Sequence, residues 1–430
     1  MFKASAAQVD LQPPVGSWMT GFAARIAPTT GLHDPIMARA VLLDDGRTRL
    51  VLVTCDLIGF TPVTIADMRH SIARKTSIPA VNVLISCTHT HSGPTSMPFR
   101  GVMGHIDTEW LAEAQRKIVE LVAGLPAGLK PAQFAHASTA VSNVSYNRQD
   151  QAHAVDEELH AIAIDAVEGG AIATIVNFGV HPVVLGPGNL LFSADYPGEV
   201  ARSLAERHGG IGLYLQGTCG DIDPAVYRDR GWGSGTFDDT RSIGELLAGA
   251  ALDALNVAPR TTEVTLRVSG KMLEVPLDES PSPEALAELI AGFEADRHNA
   301  AAAGNTMDEW IAAAMLEWGH ELQQAVSAGT VQRVLPSELF VAAINDVRII
   351  GVPFETYTDI GLHVKHNLQP LTVMFAGYAN GLYGYLPTAW AKDQGGYGPD
   401  HSCRWFPRLL TAVGYGADEL IVKEGTALGR

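Results

Sequence analysis

Short apolar runs and helical apolar stripes alternate from the start of the chain. Residues 38–43, 49–55 and 81–85 are apolar runs of the length typical of buried strands. Residues 63–75 instead carry apolar side chains at helical spacing. A strand, a helix and a further strand in this order predict a βαβ unit with a parallel strand pair. The Asp-Asp-Gly sequence at 44–46 predicts a hairpin turn between the first two strands.

The same two patterns continue along most of the chain. Further strands are predicted at 159–166, 171–178, 211–215, 339–344, 347–352 and 372–375. Further helices are predicted at 107–123, 197–208, 240–255 and 353–366. We therefore predict an α/β fold with mixed, largely parallel sheets and flanking helices. The chain has 430 residues, and we expect residues 1–430 to form a single large domain.

Residues 260–335 differ from their surroundings in composition. A predicted strand pair at 262–275 is followed by two helices rich in Ala and Glu, at 283–299 and 308–326. We predict that this segment is an insertion, which serves either as a cap or lid or as an oligomer contact. Its charged side chains are predicted to face solvent, and no chemistry is assigned to them.

Polar side chains with catalytic or metal-binding chemistry follow the ends of several predicted strands. They are His89, His181, Asp221, Asp223, Glu355 and Asn380. In α/β sheets, ligands bind in the crevice beyond the carboxyl ends of the strands. The plain alternative is that loops after strands are polar in general. Because His and Glu next to Gly and Pro turns are more particular than ordinary loop residues, we predict a metal site at the C-terminal ends of the strands.

The sequence Thr-His-Thr-His follows the predicted strand that ends at residue 85. If the backbone stays extended, His89 and His91 point to the same side. His89, His181 and Glu355 form a plausible zinc set with one position left for water. Zinc lowers the pKa of bound water to about 7 and polarises a carbonyl group, and the cation of Arg148 stabilises an oxyanion. Spacing alone therefore indicates a metal hydrolase.

Composition and charge exclude several classes of partner. Hydrophobic residues make up 47% of the chain, as in soluble globular proteins. The net charge of -17 and the pI near 5.3 disfavour nucleic acid and anionic membranes as partners. The first residues lack the apolar core of a signal peptide, and no apolar run is long enough to span a bilayer. The 4 cysteines lack CxxC spacing, which predicts reduced thiols in a cytoplasmic protein.

Motifs along most of the chain resemble those of the neutral ceramidase family, zinc amidases that cut the N-acyl bond of ceramide. The resemblance runs in the family's order from about residue 8 to residue 405. It rests on Thr-His-Thr-His-Ser-Gly-Pro at 88–94, Asn147-Arg148, His181-Pro182 with Ser-Ala-Asp-Tyr-Pro-Gly at 193–198, Gly-Asp-Ile-Asp-Pro at 220–224, Pro-Phe-Glu at 353–355, and Asn380 to Thr388 followed by Tyr397. The family has Gly-Asp-Val-Ser-Pro and Pro-Gly-Glu at the fourth and fifth of these positions.

The resemblance implies a role for each matched side chain. It implies that zinc is bound by His89, His181, Glu355 and Tyr397. Without the resemblance, Tyr397 would be interpreted as a loop aromatic between glycines. The groups that handle protons and the tetrahedral intermediate correspond to His91, Arg148 and Tyr385. The alternative for His91 is that it orients a metal ligand.

Two departures from the family pattern change the expected function. Asp223 replaces the catalytic serine, and a carboxylate can accept a proton from zinc-bound water or bind a substrate amine. We also expect neither the C-terminal immunoglobulin-like domain nor the secretion signal of true ceramidases. Since both features suit an enzyme that meets lipid outside the cell, we expect a cytoplasmic enzyme with a smaller, polar substrate.

The sequence therefore predicts a zinc-dependent hydrolase that cleaves a C–N bond, in a linear or cyclic amide, of a small soluble substrate. Asp223 or His91 is the predicted general base, and Arg148 and Tyr385 stabilise the oxyanion. An esterase or lactonase is the first alternative, because the same electrophile serves both bonds. A non-catalytic zinc-containing binding protein is the second. No nucleic-acid or membrane partner is expected, and homo-oligomerisation stays open.

Overall fold

The computed structural model describes residues 1–430, with the exception of the Val102 side chain. The strands are β1 (Lys3–Asp10), β2 (Gly31–Leu32), β3 (Met37–Asp44), β4 (Arg49–Cys55), β5 (Val83–Cys87), β6 (Lys130–Ala140), β7 (Ser145–Asn147), β8 (Glu158–Ala166), β9 (Ala171–Phe178), β10 (Leu191–Phe192), β11 (Ile211–Gln216), β12 (Ile222–Pro224), β13 (Leu266–Pro276), β14 (Val334–Ile344), β15 (Val347–Gly351), β16 (Glu355–Thr356), β17 (Thr372–Ala376) and β18 (Tyr385–Leu386). The α-helices are α1 (Pro62–Thr76), α2 (Thr108–Gly124), α3 (Asp195–His208), α4 (Ala225–Arg230), α5 (Phe237–Asn256), α6 (Pro283–Ala302), α7 (Thr306–Ala328), α8 (Thr358–Leu368), α9 (Ala389–Gln394) and α10 (Ala417–Gly429).

Two mixed sheets form the centre of the molecule, and the predicted α/β class is confirmed. The larger sheet has the strand order β11-β9-β8-β6-β1-β3-β4-β5, and the smaller one has the order β13-β14-β15-β17. The description of these sheets as largely parallel is wrong. The pairs β4–β5, β9–β11 and β15–β17 are parallel. All pairs that β1, β3, β6, β8 and β14 form with their neighbours in these two sheets are antiparallel. Hairpin turns, and not helical crossovers, connect β3 to β4, β8 to β9 and β14 to β15.

Successive side chains of the larger sheet enter two hydrophobic cores. Val41 and Leu43 of β3 join Phe340 of the smaller sheet in one core. Ala40 and Leu42 of the same strand enter the other core, which contains the apolar faces of α1, α2, α3 and α5. Helices α8 and α10 pack on the smaller sheet. The molecule is thus layered as helices, sheet, sheet and helices.

The helices predicted near 280–330 are confirmed as α6 and α7. They lie between β13 and β14, which pair antiparallel along their whole length. The strand pair predicted at 262–275 is one strand, β13, whose partner β14 follows the helices. Trp318 of α7 donates its indole N–H to the carbonyl of Leu410 at 2.9 Å, and Arg100 forms an ion pair with Glu321 of α7. These contacts attach the helix pair to the rest of the chain.

Three long elements were not predicted from the sequence. They are β1, β6 and α10. The first two are rich in Ala and Ser, which carry little strand propensity, and both gain their order from pairing inside the larger sheet. None of the helices that the structure describes combines the length and apolar character needed to cross a bilayer.

Candidate active site

The parallel strand pairs are few, but their C-terminal ends converge on one place. His89 follows β5, His181 follows β9, and Glu355 follows β15. Because parallel strands end on the same edge of a sheet, these three side chains are delivered to one crevice. The site therefore lies where the two sheets present the ends of their parallel strands.

His89 and His91 reach this crevice through a turn. Strand β5 ends at Cys87, and His89 has a left-handed φ of 69°, so the backbone is not extended as far as His91. The Nδ1–H of His89 donates to the carbonyl of Ile58 at 2.7 Å, which leaves Nε2 as the free ring nitrogen. His91 Nε2 lies 3.3 Å from His89 Nε2. The two rings therefore come together through a turn, and not through the extended backbone that the sequence predicts.

His181 enters the same crevice from the loop after β9. Its Nδ1–H donates to the carbonyl of Cys219 at 3.1 Å, and its backbone N–H donates to the carbonyl of Ile222 at 2.9 Å. The ligand atoms of His89, His91 and His181 lie within 4.8 Å of one another, and all three side chains are buried. The loop after β9 therefore holds His181 at both its backbone and its ring.

Glu355 adds a carboxylate to the three histidines. It lies on β16, where it pairs with Tyr385 of β18, and the helix predicted to begin at 353 begins at Thr358 instead. Glu355 Oε2 lies 3.3 Å from His89 Nε2 and 3.7 Å from His181 Nε2. Pairing with β18 thus turns this carboxylate towards the imidazoles.

The donor atoms of this cluster fit a metal ion. His181 Nε2 and Glu355 Oε2 are buried and have no hydrogen-bond partner among the described residues. Burial, and then the charges of neighbouring groups, lowers the pKa of both His91 and His181 well below 6.5, so both imidazoles are neutral near pH 7. Buried neutral imidazole nitrogens and a carboxylate oxygen without protein partners are the donor set of a zinc site.

Arg148 links the other predicted catalytic residues. Its Nη1 donates to Asp223 Oδ1 at 3.2 Å, and its Nη2 donates to the hydroxyl of Tyr385 at 2.9 Å and to the carbonyl of Gly220 at 2.6 Å. Asp223 lies on β12 and is 5% exposed. Burial raises the pKa of this carboxyl, and the charge of Arg148 opposes that shift. The structure therefore brings Arg148, Asp223 and Tyr385 into one hydrogen-bonded group.

Tyr397 lies at the rim of the same region. It begins a short π-helical turn, Tyr397–His401, and its side chain is 52% exposed. The ring packs edge to face against Tyr385, with 5.8 Å between the ring centroids. The proposed role of Tyr397 as a zinc ligand stays a prediction.

A cavity of about 330 Å³, here called the site cavity, is lined by these groups. Its polar side chains are those of His91, Arg148, Asp223, Tyr385 and Tyr397. Its apolar walls, which the sequence did not indicate, include Phe22, Met103, Val183, Trp232, Ile311 and Trp405. The Phe22 ring contacts the rings of both His91 and Trp232, at centroid distances of 4.9 and 5.8 Å. The available sequence signal is that Phe22 directly follows Gly21 and that Trp232 lies between Gly231 and Gly233.

Two other polar residues at strand ends, Asp221 and Asn380, form hydrogen bonds that join neighbouring segments of the chain. Asp221 accepts a hydrogen bond from Asn147 Nδ2 at 2.7 Å and another from the backbone N–H of Thr358 at 2.8 Å. Asn380 Oδ1 accepts the backbone N–H of Ile85 at 3.1 Å. These side chains connect neighbouring loops and strands, which explains their place at the same edge of the sheets.

The chain is similar to known ceramidases in sequence and in fold. Residues 5–214 match the family described as neutral/alkaline non-lysosomal ceramidase, N-terminal. The neutral ceramidase of Pseudomonas aeruginosa is 23% identical over 459 residues, which cover 89% of this chain and 67% of that protein. Neutral ceramidase A of Dictyostelium discoideum is 26% identical over 317 residues, which cover 59% of this chain and 43% of that protein.

The crystal structure of the Pseudomonas aeruginosa neutral ceramidase shares the fold. It matches with a TM-score of 0.74 and 20% identity, covering 100% of this chain and 74% of that one. Fold and comparisons define the class of protein, which is a hydrolase of the amidohydrolase type. More closely, the resemblance to the neutral/alkaline ceramidase family that the motifs indicated is confirmed by the sequence comparisons, and the family model covers slightly less than half of the chain.

Proposed function

We propose that this chain is a cytoplasmic zinc enzyme that hydrolyses the C–N bond of a small soluble amide, linear or cyclic. One observation supports the proposal most directly. The buried donor atoms of His181 and Glu355, which have no hydrogen-bond partner among the described residues, lie beside His89 and next to a cavity that Arg148 and Asp223 line. A metal site and a group that handles protons thus adjoin one substrate-sized space.

The zinc ligands in this proposal are His89, His181, Glu355 and Tyr397. When bound, zinc polarises the substrate carbonyl and lowers the pKa of water to about 7. The imidazoles of His89 and His181 each donate Nδ1–H to a backbone carbonyl. Each ring therefore presents its Nε2 atom to Glu355. Such bonds fix the tautomer and the orientation of a ligating histidine.

Asp223 is the proposed general base. It takes a proton from water as the water oxygen adds to the carbonyl carbon, and the proton passes to the leaving nitrogen when the C–N bond breaks, giving an acid and an amine. Arg148 Nη2 and the Tyr385 hydroxyl, 2.9 Å apart, stabilise the charge that develops on the carbonyl oxygen. His91, whose buried imidazole is neutral, is the alternative base.

The proposed substrate is smaller than a long-chain lipid. A volume of about 330 Å³ lies at the lower end of the range of roughly 300–1,000 Å³ found for ligand pockets. Because Phe22, Trp232 and Trp405 form much of the wall, the group next to the amide is apolar. We therefore refine the small, polar substrate expected from the sequence to a small amide with an apolar substituent.

The test uses matched pairs of small amides and esters, assayed with purified chain before chelation, after chelation and after zinc is returned. We expect amide hydrolysis to disappear with the metal and to return with it. Asp223→Asn is expected to lower kcat about 100-fold or more, the contribution of a positioned base. Asp238→Asn, which changes an exposed carboxylate on α5, is the matched control and leaves kcat unchanged.

Three outcomes would contradict the proposal in different ways. Full amide hydrolysis by metal-free protein would exclude a zinc mechanism. Turnover restricted to the ester members would favour an esterase or lactonase. Tight binding of the compounds by zinc-loaded protein, with no turnover of any amide or ester, would favour the binding-protein alternative.

A further inference from the structure

A second cavity adjoins the site cavity at a single side chain. This helix-pair cavity, of about 490 Å³, lies between α6 and α7, and its lining includes Phe293, Ala312 and Met315 together with Asn299 and the carboxylates of Asp296 and Asp308. Ile311 of α7 lines both this cavity and the site cavity. The side chain of Ile311 is half-buried, and it stands at the boundary between the two spaces.

The position of Ile311 is set by the contacts on either side of it along α7. Trp310 packs edge to face against Trp18, with 6.3 Å between the ring centroids. One turn further along, the methyl group of Ala314 packs against the backbone of Gly101, where an added Cβ would approach to 2.9 Å. Because both neighbours of this helix turn are packed, Ile311 is held at the wall of the site cavity.

The two cavities differ in what surrounds them. The site cavity contains the polar groups of His91, Arg148 and Asp223. Next to Ile311, the helix-pair cavity is lined by the apolar side chains of Ala312 and Met315 and, one helical turn earlier, by the carboxylate of Asp308. A substrate with its amide at the polar groups and its apolar substituent directed at α7 meets Ile311 before it can enter the second cavity.

We propose that Ile311 is a specificity-determining residue that closes the substrate cavity and limits the length of the apolar substituent. The preferred substrates are then amides with a short apolar group, and longer chains are excluded by this one side chain. The inference rests on the proposed function, because it takes the amide to lie at the zinc cluster. Its test therefore measures binding, which does not depend on turnover.

The probes are straight-chain alkyl hydroxamates of increasing length, beginning with acetohydroxamate, because a hydroxamate chelates zinc. Their affinities for zinc-loaded protein are measured by titration calorimetry. Affinity is expected to rise about fourfold with each methylene group that is buried, up to a limiting length beyond which it falls. Ile311→Ala is expected to move this limit to longer chains, and Ile311→Trp to move it to shorter ones.

Two further variants complete the experiment. Asn299→Leu changes an exposed residue of α6 that lines the helix-pair cavity but not the site cavity. This variant is expected to have the same limiting length as the unaltered chain. Ile311→Val retains a branched side chain, and it gives a small shift in the same direction as Ile311→Ala if the larger change disturbs folding.

The outcomes separate this inference from the proposed function. If the limiting length were the same in the unaltered chain, Ile311→Ala and Ile311→Trp, the proposed role of Ile311 would be wrong. Binding of acetohydroxamate in the same experiment would still support the zinc site. A failure of every hydroxamate, including the shortest, to bind zinc-loaded protein would overturn both the inference and the zinc-based function.

Discussion

Two buried polar clusters lie at neighbouring strand ends, and they differ in how completely they are hydrogen-bonded. In the first, Glu355 Oε2 and His181 Nε2 have no hydrogen-bond partner among the described residues. In the second, both carboxylate oxygens of Asp221 are occupied, one by Asn147 Nδ2 at 2.7 Å and the other by the Thr358 N–H at 2.8 Å. The two carboxylates are buried to a similar degree, at 3% and 2% exposure.

The difference in hydrogen bonding distinguishes residues that can bind a ligand from residues that stabilise the surrounding structure. A buried carboxylate with all its oxygens paired stabilises the loops that it joins. A buried carboxylate with an unpaired oxygen destabilises the empty protein, and such groups persist where a ligand completes them. On this comparison, we assign Glu355 to the proposed metal site, and Asp221 to the framework that holds Arg148 and α8 in place.

The largest expected effect follows from removing a member of the first cluster. His181→Ala and Glu355→Gln are each expected to lose the bound zinc and to lower kcat/KM about 1,000-fold or more, because Lewis-acid stabilisation of several kcal/mol is lost. Metal content is measured by elemental analysis and activity on the amide panel.

Asp221→Asn is the matched change in the second cluster. It is expected to keep a full equivalent of zinc, because Asp221 already has protein partners for both oxygens. Loss of zinc from Asp221→Asn, or its retention in Glu355→Gln, would contradict the division between the clusters.

The second prediction concerns stability, for which Asp221 is expected to matter more than Glu355. Asp221→Ala leaves the Asn147 amide and the Thr358 N–H without acceptors, and we expect the free energy of unfolding to fall by about 3 kcal/mol. Glu355→Gln, in metal-free protein, is expected to leave stability unchanged or to raise it, because it replaces a buried carboxylate whose Oε2 has no hydrogen-bond partner among the described residues. Both are measured by chemical denaturation of metal-free protein. A larger loss of stability for Glu355→Gln than for Asp221→Ala would show that Glu355 is part of the framework.

The third prediction addresses His91, whose role as a proton-handling group or a positioning group was left open. A Cβ on Gly21 would lie 2.4 Å from Cγ of the His91 ring, and the φ of Gly21 is 103°. Gly21→Ala is therefore expected to displace the His91 ring, at a cost of about 1–3 kcal/mol in backbone strain. We expect activity to fall about tenfold while zinc is retained, a modest loss because the ring is shifted and not removed.

Gly16→Ala provides the control for backbone strain. Gly16 has a φ of 99°, close to that of Gly21, but an added Cβ meets nothing within 4 Å. Similar losses of activity in the two variants would show that strain alone, and not the His91 contact, is responsible. Loss of zinc from Gly21→Ala would instead identify His91 as a ligand.

Much of the fold could be predicted because its signals are local. Apolar runs and turn residues indicated β3, β4, β8 and β9, and the motif residues at strand ends indicated His89, His181 and Glu355. The pairing of strands is not local. Strands β1 and β6 lie far apart in the sequence and complete the centre of the larger sheet, which made the sheet more antiparallel than expected.

The limits of prediction at the site have the same physical origin. Asp221 and Asp223 stand two residues apart in one motif, and only their distant partners distinguish the framework residue from the proposed base. Ile311 lies in a helix for which the sequence predicts no chemistry, and only its packing places it on the wall of the cavity that Arg148 also lines. Composition and spacing carry no record of which cavity a side chain lines.

His160 tests how far an unpaired buried group can be taken as a sign of a ligand. It lies on β8, is 2% exposed, and neither ring nitrogen has a hydrogen-bond partner among the described residues. The charged groups that face it are Glu158, with Oε2 3.3 Å from His160 Nε2, and then Lys365 and Asp156. Since His160 belongs to no group of three or more potential metal ligands within the described part of the chain, we interpret it as a buried neutral side chain and not as a ligand.

The smallest predicted effect is therefore a pH dependence of stability that originates from His160. Burial lowers the pKa of His160 below its ordinary value of 6.5, with Glu158 opposing the shift. Below that value the unfolded chain binds a proton that the folded chain does not, so the free energy of unfolding falls as the pH decreases from about 6.5. His160→Gln removes this proton, and the slope of unfolding free energy against pH between about 5 and 6.5 decreases by at most about 1.4 kcal/mol per pH unit. Denaturation at a series of pH values measures the slope. An unchanged slope would mean that His160 binds its proton equally in the folded and unfolded states. If His160→Gln lowered the zinc content of the protein, His160 would itself be a metal ligand, and a buried histidine without hydrogen-bond partners would be enough to bind a metal.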